Sequence, residues 1–343
     1  MGVMITPKIQ SYTQHHKLGL KLNPILVGEL YLAKKVTHPV YVFKDFHFCE
    51  VLTAGGVPNK ELINLLIRNS HREVYVSNED INQIRKNLEH ALVKVTRSLS
   101  VGDPLENGQK DIKLLSLNLG GLYQNPHDDE LLMLQFQSTQ NLGKFLLDNK
   151  KLHSSFYHNL TNESFHFTLS QPMLSSLMLL SFLQTIHLFH DREIENLFLA
   201  SYLKDIGLSI IPQDKYDQMN LTDQDQKLFA DHSDFSFDLL EGRVPLSKNY
   251  LTIIKHHHFL NNRLLELINK APRQPLLDAN TIHGIESVLV GVFDMFVAMT
   301  SDRPYRKGMS PFQSLELIKK LMADDYPQEF KALVIFIRQF FKN

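Results

Sequence analysis

Residues 282–311, IHGIESVLVGVFDMFVAMTSDRPYRKGMSP, constrain this chain more than any other stretch. From Val288 to Phe293 and again from Met295 to Met299 the sequence is apolar, with Gly291 the one gap. Apolar side chains around a whole helix predict burial on every side, so other elements must be wrapped around this one. Asp294 sits in the middle of it. A carboxylate there is costly unless it is paired, hydrogen-bonded or bound to a metal. A buried acid that caps a neighbouring helix or pairs with an arginine meets that requirement as well as a metal ligand does. Thr300-Ser301-Asp302 ends the helix, and Pro304 forces Arg303 out of helical geometry. Arg303, Arg306 and Lys307 then follow closely, which is either a solvated turn or a set of fixed cations beside the buried acid.

The elements available to surround this helix change character along the chain. Between Pro24 and Asn82 the pattern is short and mixed. Tyr41-Val42-Phe43 and Val74-Tyr75-Val76 are runs of strand type, and Phe46 to Leu52 reads as another. Asn59 to Asn69 has apolar residues at helical spacing, and Ser77 to Asp80 caps a further helix reaching about Leu99. Val101 to Pro126 is rich in glycine and proline and reads as a hinge interrupted by one short helix, Lys110 to Leu119. After Asp129 everything reads helical: about 130–147, 172–190, 193–204, 222–241, 248–259, 281–301, 311–322 and 328–341. The expected class is α+β overall, a small α/β module over residues 1–100, a linker over 101–127 and an all-α bundle over 128–343.

Composition bounds the function. With 43% hydrophobic residues the chain can bury a sizeable core, and its formal net charge of -1 gives no support to DNA binding. The single cysteine, Cys49, excludes an intramolecular disulfide framework and suits a reducing, cytoplasmic compartment. No apolar run reaches the roughly 18 residues of a membrane span. The N-terminus MGVMITPKIQ lacks the layout of a secretory signal. It matches a myristoylation pattern at Gly2 and Thr6, one short enough to arise by chance.

The string D-x-F-x-A-x-T-S-D-R-P-Y-R, Asp294 to Arg306, resembles the terminal motif of the HD-GYP family, bacterial hydrolases of cyclic di-GMP within the all-helical HD metallohydrolases. Upstream, Glu193 to Pro212 is similar to the helix that carries the family's His-Asp pair. Asp205 matches the aspartate that bridges two metals, but Lys204 stands in the place of the histidine, and Leu208 in the place of a lysine. His232 falls where the next helix carries a histidine; alone on an amphipathic helix such a residue is ordinarily structural. In His256-His257-His258 the last two match the family's paired histidines, although three in a row also suit a polar helix end. Phe259 replaces a glutamate, and Leu260 to Pro275 reads as helical and basic where the Gly-Tyr-Pro loop belongs. The family's first histidine should fall near Gln171-Pro172, where none stands, and His166 lies more than a helical turn away.

The resemblance implies one metal position intact, from Asp205, His232, His257 and His258, in a ligand set that suits iron, manganese, nickel or zinc. The other keeps Asp294 and has lost two ligands. A protonated lysine has no lone pair, so Lys204 is expected to replace the second cation between Asp205 and Asp294. One divalent metal, or none, should then bind at a catalytic centre marked by Asp205 and Lys204. Family hydrolysis depends on two metals, so it should be lost or slowed by orders of magnitude. Arg303, Arg306 and Lys307 could still hold a phosphate. The expectation is a degenerate HD-GYP domain in cyclic di-GMP signalling, acting as nucleotide sensor or protein-interaction module, with an active single-metal phosphodiesterase as the alternative. A protein partner is expected and a homodimer is compatible. The N-terminal module reads equally as a sensory or docking element and as a structural cap.

Overall fold

Alternating β-branched and aromatic residues early in the chain produce a sheet, and the apolar runs that follow produce stacked helices. The computed structural model describes residues 9–11; 22–212 apart from 46, 70 and 164; 215–260 apart from 217 and 219; and 264, 284–303 and 306–342. It divides into two compact units, Met1–Arg97 and Ser98–Asn343.

The first unit holds a five-stranded sheet in the order β1-β4-β3-β5-β2. Its strands are β1 (Ile9–Ser11), β2 (Leu22–Leu26), β3 (Val40–Lys44), β4 (His47–Leu52) and β5 (Glu73–Ser77), and every pairing is antiparallel. Pro24 removes a ladder donor, which fits β2 only at an edge, where it lies. Val40, Val42, Val74 and Val76 form a core with Ile63 and Leu66 of α1 (Lys60–Arg68) and Ile81 and Ile84 of α2 (Asn78–Arg97). The intervening residues Tyr41, Phe43 and Tyr75 gather around Phe48 in tilted and edge-on contacts. The strand–strand–helix–strand reading holds for β3, β4, α1 and β5. Strands β1 and β2 carry too few β-branched residues to announce themselves.

The second unit is helical among its described residues. Its helices are α3 (Pro104–Gln124), α4 (Asp129–Asp148), α5 (His153–Thr161), α6 (Phe167–Ile186), α7 (Asp191–Leu203), α8 (Asp223–Leu240), α9 (Lys248–Lys255), α10 (Ile285–Thr300), α11 (Pro311–Met322) and α12 (Pro327–Phe340). As its composition requires, α10 is buried continuously from Ser287 to Val297, and it packs against α6, which is almost as apolar. No helix among the described residues is long and apolar enough to cross a membrane.

Two expectations need correction. Residues 101–127 are not a linker: α3 fills most of that range and buries Leu115, Leu117, Leu119 and Leu122. Asp103 caps it by accepting from the Leu105 amide, and Pro104 stands in the first turn, where a missing N–H costs nothing. Helix α6 starts at Phe167, five residues ahead of Pro172, instead of at the proline. A proline inside a helix orphans the carbonyl four residues back. That carbonyl, Thr168 O, accepts a hydrogen bond from Tyr123 Oη on α3 at 3.2 Å. The reading of Leu260 to Pro275 falls largely on residues outside those described.

Candidate metal centre

Three chain segments converge at the end of α7. The helix stops at Leu203, Lys204 follows in helical geometry, and Ile206–Ile210 makes a tight 3-10 turn. Gly207 lets that turn lie directly on α8: a Cβ there would come within 2.1 Å of His232 O and 2.5 Å of Ser236 N. The Gly207 amide donates to Ser236 Oγ at 2.8 Å, and Ser236 Oγ donates to His232 O at 2.9 Å. Helix α9 ends at Lys255, before the three histidines, so these sit in a turn rather than on a helix face. Gly291 of α10 admits that turn, since a Cβ would lie 2.8 Å from His257 O.

The imidazoles are oriented from behind. Nδ1 of His232 lies 2.5 Å from Phe229 O, and Nδ1 of His257 lies 2.6 Å from Ile254 O. A carbonyl only accepts, so both Nδ1 atoms carry a proton, and with the rings neutral both Nε2 atoms present lone pairs. Those Nε2 atoms each lie 3.3 Å from Asp205 Oδ1, and His258 Nε2 lies 3.1 Å from His232 Nε2. One ligand atom from each of Asp205, His232, His257 and His258 falls within 4.8 Å of the others. In the neutral rings, lone pairs pointed at one another and at a carboxylate repel unless a cation lies among them. His257 Nε2 is buried and makes no hydrogen bond, which leaves that lone pair for a metal. The donor set therefore fits a divalent transition metal. Burial, with the His257 and His232 rings next, holds the His258 pKa well below the usual histidine range, which keeps this ring in its ligating form.

The other oxygen of Asp205 is committed elsewhere. Lys204 is 0% exposed, and its Nζ contacts Asp205 Oδ2 and lies 2.7 Å from Asp294 Oδ1. Burial alone would lower the lysine pKa, but Asp205 and Asp294 outweigh it and hold it above its ordinary value. Burial likewise pushes Asp205 up, and Lys204 with the two nearby imidazoles overcomes this, leaving the carboxyl well below the usual range. The pair is thus ammonium and carboxylate. Gln171 donates from Nε2 to Asp294 Oδ1 at 2.8 Å and accepts from Arg303. Arg303 lies over the Phe167 ring, 3.8 Å from its centroid.

A pocket of about 220 Å³ opens beside this cluster, reached by Asp205, His232, His258, Asp294, Gln171 and Arg303. Phe167, Tyr216 and Phe229 also face it. Of the three cations expected to bind phosphate, Arg303 is brought to the pocket. Arg306 instead donates to the carbonyls of Ala298 and Met299 at the end of α10, and Lys307 pairs with Asp302 at the exposed surface. Sequence reasoning did not assign roles to Gln171, Phe167 and Tyr123. A glutamine beside a buried proline carries no signal of its own; its value lies in the distance to Asp294, far away in the chain.

The helical bundle thus gathers an aspartate and three histidines from three consecutive segments. No family model matches the chain, and no curated protein matches it. Among solved structures it is similar to Bd1817, an HDG"Y"P protein from Bdellovibrio bacteriovorus, with a TM-score of 0.61 at 17% identity, covering 93% of this chain and all of that one. The chain therefore has the fold of an HD-GYP protein.

Proposed function

We propose that this chain is an HD-GYP-type domain of cyclic di-GMP signalling that binds one divalent metal or none and recognises a nucleotide without turning it over at the rate of a two-metal enzyme. The observation that carries the reading is Lys204 Nζ, wholly buried, between Asp205 and Asp294. An ammonium there neutralises the two carboxylates that would otherwise share a second metal. A metal held by Asp205, His232, His257 and His258 would supply Lewis-acid polarisation of a phosphoryl oxygen. What this chain's own residues contribute is placement: Asp205 and the carbonyl-anchored histidines hold the cation, and Arg303 faces the same pocket. A phosphate can be bound by that combination, whereas a displacement clamped at both attacking and leaving oxygens needs the second metal. The first unit is then a sensory or docking module whose state the nucleotide site reports or reads.

Incubation of the full chain with cyclic di-GMP and excess manganese or iron tests this. The expected result is nucleotide binding by calorimetry with linear pGpG or GMP formed at least about a thousandfold more slowly than by a two-metal enzyme, equivalent to losing roughly 4 kcal/mol of transition-state stabilisation. Turnover at the rate of a two-metal enzyme would support the single-metal phosphodiesterase instead.

A further inference from the structure

One hydroxyl in the last turn of α3 reaches two segments that support the cluster. Tyr123 Oη lies 3.2 Å from Thr168 O on α6 and 3.3 Å from Asp205 O, the backbone carbonyl of a candidate ligand. A phenol has a single proton to donate. Both distances exceed the ~2.7–2.8 Å of an undivided O–H···O bond, as befits one proton shared between two acceptors. The Asp205 carbonyl also accepts from the Leu208 amide at 2.9 Å, so it opens the 3-10 turn at the same time. Thr168 stands one turn ahead of Gln171, whose Nε2 donates to Asp294. The same hydroxyl therefore touches the backbone of one buried carboxylate and the helix that steadies the other.

A residue can position another only if it is itself fixed. Tyr123 is buried, and α3 packs against α4 and α6. The turn that follows α3 is pinned to α8 by Arg243. Its Nη1 donates to Pro126 O and to Leu239 O, both at 3.0 Å, and its Nε donates to Asp129 Oδ1 at 2.7 Å. Helix α8 carries His232, whose Nε2 faces Asp205 Oδ1 at 3.3 Å. The end of α3 is thus tied to the histidine's helix through Arg243 and to the aspartate's backbone through Tyr123. A metal site keeps its affinity only while its donors stay within roughly 0.2 Å of their places. The spacing of Asp205 and His232 is held by this ring of contacts.

Resting on the metal reading of the cluster given above, we infer that Tyr123 is a positioning residue for the metal centre. Its hydroxyl, divided between Thr168 O and Asp205 O, keeps the Asp205 backbone where Oδ1 meets the histidines. Pro172 is what makes the hydroxyl divide, because it withholds the amide that would otherwise bond Thr168 O from within α6.

That division supplies the test. The probe is zinc, titrated into the metal-stripped full chain against a chromogenic chelator. Tyr123→Phe keeps the ring and loses the hydroxyl, and it is expected to bind zinc about tenfold more weakly, as when an outer support of a ligand is removed. Pro172→Ala restores an amide to Thr168 O and frees the hydroxyl for Asp205, so zinc should bind at least as tightly as in the parent. Tyr123→Phe in the Pro172→Ala background keeps the α6 carbonyl bonded, and a loss of about tenfold relative to Pro172→Ala then belongs to Asp205 alone. A residue that merely packs α3 against α6 would lower the metal-free melting temperature and leave the double variant's zinc affinity equal to that of Pro172→Ala. That equality would overturn the inference while the metal reading stands. A parent chain that takes up no zinc would overturn the metal reading of the cluster together with this inference.

Discussion

Lys204 carries the argument at the scale of a single residue. Its ammonium lies among groups that would attract a metal and is ion-paired with two buried carboxylates. Breaking a buried ion pair by removing one partner typically costs about 3–5 kcal/mol, because the remaining charge is left unpaired. Lys204→Ala is therefore expected to lower stability by about 3–5 kcal/mol in urea unfolding. Added manganese should restore part of that loss by entering the vacated space. A variant as stable as the parent, or one indifferent to manganese, would mean that the pair does not do the work assigned to it. The place of Lys204 between Asp205 and Asp294 was legible in the sequence because the resemblance, carried by Asp205, Ile206 and Gly207, fixes the register. The role of Gln171 was not, since an amide's importance depends on which partners the fold brings within 3 Å.

At the scale of elements, the site depends on how closely the 3-10 turn after α7 can approach α8. Gly207→Ala would drive a Cβ into His232 O and Ser236 N, both backbone atoms that have nowhere cheap to go. The turn should lift, carrying Asp205 away from His232. Metal affinity is expected to fall by about ten- to a hundredfold, as when an outer support of a ligand is lost, and competition with a chromogenic chelator would measure it. Unchanged affinity would contradict the packing account. Helix α10 was readable in advance because a run that is apolar on all faces has one home. The linker reading of 101–127 went wrong because glycine and proline mark turns statistically, whereas here Pro104 begins α3 and Gly108, Gly120 and Gly121 are buried inside it. Likewise α6 runs through Pro172 because a hydroxyl from α3 takes the carbonyl that the proline orphans.

For the whole molecule, the two units should respond oppositely to pH. His153 in the second unit is buried, donates to Leu146 O at 2.8 Å, and has its pKa pushed down to about 4 by burial, with a smaller opposing effect of that hydrogen bond. It is neutral when folded and gains a proton more readily when unfolded. The stability it protects is complete above about pH 6.5 and is lost as pH falls toward 4, about 3 kcal/mol in all. Glu29 in the first unit accepts from the Leu26 amide at 2.7 Å and is pushed up to about 7, chiefly by burial. Folded, it keeps its proton where the unfolded chain would release it, so its contribution is complete below about pH 4.5 and declines as pH rises to 7, by a similar amount. Hydrogen exchange resolved by unit should show the second unit opening first in acid, with His153→Gln flattening its profile and Glu29→Gln flattening that of the first. Parallel profiles in both units would contradict these assignments. The division into an α/β part and a helical part was legible from the change in hydrophobic period, while the fold of the first unit was only half visible because its edge strands are short. The central claim, that a lysine has taken the seat of a second metal, is tested most directly by elemental analysis of the full chain purified without chelator and then supplied with manganese, iron or zinc. The account predicts no more than one ion per chain at saturation; two tightly held ions would contradict it.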